Sequence, residues 1–154
     1  MRMTLEIYQE RIDEIELYFN ALKELYQTQS RESEHSFYND DFLKILKANA
    51  LIMIYNLVES SIMGGILEIY DELKNSGYSY KDVRKEIQDI WFSFKFNQVY
   101  DKTAHYNSYR DKAAEIINAI MRNEPIEMDR KATDISGNLD ADKIRQICSD
   151  HGIT

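Results

Sequence analysis

Asn56 and Glu59 are the residues of this chain whose types and setting could do chemistry. Eleven of the sixteen residues from Ala48 to Met63 are apolar, yet Asn56, Glu59, Ser60 and Ser61 sit among them. Three apart on a helix, Asn56 and Glu59 share a face, and Tyr55 precedes Glu59 by four. A carboxylate or carboxamide on a buried face costs free energy unless it is paired. Two readings are open. The cluster lines a polar groove, or it is a solvated stripe or a carboxylate satisfied by a tyrosine hydroxyl inside a bundle.

Other chemistries find little support. There is no glycine-rich phosphate loop. The histidines, His35, His105 and His151, lie far apart, and no Cys/His cluster has metal-ligand spacing. His35 and His105 read as surface residues. No cofactor and no metal are expected. Cys148 is alone, which excludes a disulfide framework. The aromatic run Trp91, Phe92, Phe94, Phe96 reads as a helical core with one or two rings left for a partner.

The elements that must position these residues are helical. Leu5, Tyr8, Ile12, Ile15, Phe19, Leu22 and Tyr26 recur at spacings of three and four, an a/d seam that predicts a first helix. Residues 27–40 are polar and aperiodic, and Asn39 or Asp40 can cap the second helix. This long helix runs from about Asp41 to Ser76 and stops at Gly77. Its mid-helix pair Gly64-Gly65 suggests close approach of another helix, or a kink. Ser79 to Asp82 approximates a capping box, which starts a third helix with Val83, Ile87, Ile90, Trp91 and Phe94 inward. The chain bends over 97–107. A fourth helix, 108–123, buries Tyr109, Ala113, Ile116, Ile117 and Ile120 and ends before Pro125. Residues 126–136 form an extended connection. Asn138 or Asp140 then caps a short helix that buries Ile144, Ile147 and Cys148 and stops at Gly152.

The expected fold is all-α: an antiparallel bundle of four main helices plus a short C-terminal one. At 154 residues it should form a single domain, 1–154. The net charge of −8 argues against broad binding to nucleic acid, which needs Lys and Arg to neutralise phosphates. The start, MRMTLEIYQERIDE, lacks the apolar core of a signal peptide, so a cytoplasmic location is the default. The long helix has the length of a membrane span, but Asn49, Asn56 and Glu59 interrupt it, and no membrane role is expected.

Two segments together carry a resemblance. LKANALIMIYNLVESSI, residues 46–62, and SGNLDADKIRQICSDHGI, residues 136–153, occur in an order and at a distance similar to the MAE-type HEPN-like nucleases of bacteria. Tyr55-Asn56…Glu59-Ser60 and Ser136-Gly137-Asn138-Leu139 are each short, and their pairing is the specific part. The resemblance implies a HEPN-like helical bundle that forms a homodimer. It also implies a metal-independent endoribonuclease of toxin–antitoxin or antiviral defence systems, with an RNA substrate and an antitoxin or other protein partner.

The family's chemistry rests on an Arg-x4–6-His motif, usually R-N-x-L-A-H-G. A base takes the proton of an RNA 2′-hydroxyl while a cation steadies the oxyanions of the attacked phosphate. R-N-x-L-A-H-G is not present here. Arg145 and His151, with five residues between them, are the formal match, and Gln146 replaces the polar residue after the arginine. With Glu59 and Asn56 they make up the candidate catalytic set. The implied picture is a HEPN-like bundle without its catalytic helix: a chain cut short, a natural truncation, or a degenerate member used for binding. The alternative is a non-catalytic helical module for dimerisation or protein binding, which the seam of the first helix and the acidity favour.

Overall fold

A computed structural model describes residues 2–29, 40–98, 106–133, 135 and 139–153. Among these residues, five α-helices run in the order α1 (Arg2–Gln29), α2 (Asp40–Asn75), α3 (Lys85–Asn97), α4 (Tyr106–Met121) and α5 (Ala141–Asp150). A one-turn 3-10 helix, Arg130–Ala132, precedes α5. Among the described residues there is no strand, only an isolated bridge between Ser79 and Pro125. The fold is all-α. The expectations for His35, for His105 and for a cap at Asn39 or Asn138 lie outside the described residues.

The chain divides into two compact units, Met1–Ile62 and Met63–Thr154. The first unit pairs α1 with the first two-thirds of α2. Among the described residues its buried side chains are Leu43, Ala50 and Leu57, one every seven residues on α2. From α1, Ile12, Ile15, Tyr18, Leu22 and Leu25 are half-buried, and the Tyr18 hydroxyl donates to the Leu46 carbonyl at 2.9 Å. The Lys47 ammonium sits 4.9 Å above the Tyr26 ring. The predicted seam is therefore split. Ile12, Ile15 and Leu22 pack, while Leu5, Tyr8, Phe19 and Tyr26 stay exposed along the neighbouring flank. By length and composition alone, α2 could also cross a membrane.

The second unit gathers the end of α2, α3, α4, the 3-10 turn and α5. Its core joins Ile87 and Trp91 of α3, Ile116 of α4 and the fully buried Ile126. Tyr80 tilts against Trp91 with ring centroids 5.4 Å apart. The indole N–H of Trp91 is buried, with no hydrogen-bond partner among the described residues.

Three helices in this unit end by one device. Residues Gly77, Asn123 and Gly152 adopt positive φ, at 68°, 52° and 65°. In each case the N–H of that residue bonds three back and the next N–H bonds five back. The pairs are Gly77 to Lys74 with Tyr78 to Leu73, Asn123 to Ile120 with Glu124 to Ala119, and Gly152 to Ser149 with Ile153 to Cys148. This double bond satisfies carbonyls that a helix end otherwise leaves open, and it needs a left-handed residue.

The third helix begins later than the sequence suggests. The Ser79 N–H and hydroxyl both donate to the Asp82 carboxylate, at 2.9 and 2.6 Å, and the Asp82 N–H returns to the Ser79 carbonyl. These bonds close a local turn instead of opening a helix, because Ser79 is held extended against Pro125. The chain enters α3 at Lys85, after Arg84 in a β conformation without a side-chain cap. On α4, Ile117 is 55% exposed, not buried, because Ala113, Ile116 and Ile120 occupy the inward stripe. At Gly65 a built Cβ meets nothing within 4 Å, so no close neighbour demands glycine there.

Candidate functional site

The four candidate residues fall into different units. Asn56 and Glu59 belong to the first, Arg145 and His151 to the second.

On α2, Asn56 is exposed and lines a cavity of about 110 Å³ with Arg11, Glu14, Ile15 and Met53. Three of these neighbours, Arg11, Glu14 and Ile15, belong to α1. Glu59 is half-buried. The serines beside it turn back on their own helix: Ser60 and Ser61 both donate to the Leu57 carbonyl, at 3.1 and 2.7 Å. Such bonds commit the hydroxyl protons to the helix's own backbone.

His151 sits at the C-terminal cap of α5 and is only 4% exposed. Both ring nitrogens are engaged. Nδ1 lies 2.7 Å from the Ile147 carbonyl oxygen, and Nε2 lies 2.8 Å from the Tyr70 hydroxyl. A carbonyl only accepts, so Nδ1 carries the proton. In the neutral ring Nε2 is then the acceptor and Tyr70 the donor. Burial pushes the Tyr70 hydroxyl well above the ordinary tyrosine pKa, which keeps its proton in place. The two rings also stack, 5.8 Å between centroids and 28° between planes. Next along the chain, the Arg84 guanidinium donates to the Gly152 carbonyl at 3.1 Å and closes over the end of α5.

Arg145 is placed differently. Its side chain is 72% exposed and pairs with Asp142, one turn earlier on α5. Six residues of helix set Arg145 and His151 roughly 120° apart around the axis. The structure does not bring this arginine and this histidine to one point: one faces water, the other faces Tyr70.

A groove of about 550 Å³ runs beside His151. Its walls include Glu86 and Asp89 of α3, Lys131 of the 3-10 turn, and Lys143 and Asp150 of α5. Asp140 positions α5 by accepting from the Lys143 N–H at 2.8 Å, one of the two caps expected from sequence. Among the described residues no group of three His, Cys, Asp or Glu could hold a metal ion.

Sequence reasoning missed Tyr70 and Arg84. Tyr70 continues the inward stripe of Met63 and Ile66 on α2, which marks it as core. Nothing local marks it as the partner of a histidine 81 residues away.

No curated protein and no solved structure matches the chain. A family model described as MAE_28990-like HEPN matches residues 5–153. That match runs from the first turns of α1 to the residue after Gly152 at the end of α5, and so takes in all five helices. On this ground the chain belongs to the HEPN family, in its MAE_28990-like branch.

Proposed function

We propose that this chain acts by association: a HEPN-type helical module whose first unit is completed by a second copy. The observation that carries the reading is the state of α1. None of its described side chains is buried, although its sequence is strongly amphipathic. Seven large apolar residues on α1 and six on the first part of α2 stand exposed, among them Leu17 at 73% and Leu51 at 69%. Single exposed apolar residues are ordinary, but a run along two paired helices marks an interaction surface. On α1, Leu5, Tyr8, Phe19 and Tyr26 lie on one flank, and that flank is what a second copy would cover.

The state of His151 supports an associative role over a catalytic one. A general base must reach the proton that it removes. His151 is closed in by Tyr70 and Ile147, and Arg145 points elsewhere. Family membership favours a second reading, a metal-independent endoribonuclease of toxin–antitoxin or antiviral defence. Here Arg145 and His151 would have to rearrange, and Glu59 and Asn56 would assist.

An RNA cleavage assay in chelator separates the two. The associative reading expects no cleavage above the buffer control, for the chain and for His151→Ala, Arg145→Ala and Glu59→Ala alike. Cleavage by the chain that is abolished in both His151→Ala and Arg145→Ala would sink that reading and establish the nuclease.

A further inference from the structure

We draw no further inference here: the strongest candidate, the groove of about 550 Å³ between α3, the 3-10 turn and α5, sets Glu86, Asp89 and Asp150 against Lys131 and Lys143 and has partners already for its buried polar groups Thr133 and His151, so nothing in the structure shows what covers it.

Discussion

The Tyr70–His151 bond fastens the end of α5 to α2, and removing the tyrosine hydroxyl tests that directly. In Tyr70→Phe the ring still fills its place, since only one oxygen is lost. What remains is the Nε2 of His151, buried and with no donor. A buried acceptor left without its partner costs about 1 to 3 kcal/mol. In a chain of this length, each kcal/mol lowers Tm by roughly 2–4 °C. Urea unfolding monitored by circular dichroism should therefore show a loss of about 2 kcal/mol. His151→Phe strands the Tyr70 hydroxyl in the same way. The double variant Tyr70→Phe/His151→Phe leaves neither group stranded, so its loss should fall short of the sum by about 1 kcal/mol or more. Strict additivity, or a Tyr70→Phe loss within about 0.5 kcal/mol of zero, would refute the reasoning, because such a cost lies in the range of neutral surface changes.

The burial of the Tyr70 hydroxyl has an alkaline signature. The folded-state pKa of Tyr70 is raised, so the folded protein keeps this proton after the unfolded chain has released it. Stability is therefore unaffected below the ordinary tyrosine value of about 10 and falls as pH rises above it toward the folded value. The slope is at most about 1.4 kcal/mol per pH unit. Tyr70→Phe should remove that slope, read as stability against pH.

The remaining predictions concern a mid-helix glycine, two helix ends and the turn. Gly65→Ala should stabilise by roughly 0.5–1 kcal/mol, since the site is helical and open. Gly152→Ala should destabilise by more than the roughly 1–2 kcal/mol of a left-handed alanine, because its Cβ would lie 3.2 Å from the Arg84 guanidinium. Gly77→Ala, with nothing near its Cβ, should cost only the backbone term. Thermal melts in the order Gly65→Ala, wild type, Gly77→Ala, Gly152→Ala from highest Tm to lowest are expected, and a reversed order would contradict the cap assignments. Asp82 has its pKa lowered by hydrogen bonds from the Ser79 hydroxyl and then the Ser79 N–H. Its stabilisation is therefore present above the unfolded carboxyl pKa and is lost as pH falls through the folded one. Asp82→Asn should be less stable than wild type at neutral pH, with the gap closing in strong acid. A gap that stays constant with pH would discount the turn.

Much of the framework was legible because its signals are local. Gly77 and Gly152 mark helix ends by their freedom at positive φ, and Asp140 marks a start by its short acceptor side chain. The start of α3 was not legible, because Ser79 and Asp82 satisfy each other in either a cap or a turn. What decides between the two is the distant Pro125. The apolar seam of α1 was visible, but not which half of it packs, since that depends on Tyr18 reaching Leu46 on another helix. The site was least legible. Arg145 and His151 satisfy a spacing rule, and spacing carries no information about the faces on which a helix and its cap present them. The inward turn of His151 depends on Tyr70, far away in sequence.

Sedimentation equilibrium of the chain up to high micromolar concentration tests the associative account most directly. The account predicts a mass of twice 18.2 kDa, with Phe19→Glu and Leu51→Glu each shifting the population toward the single chain while the helical circular dichroism is kept. A wild-type mass of 18.2 kDa throughout that range would contradict it and leave the exposed faces of α1 and α2 to some other partner or to a membrane.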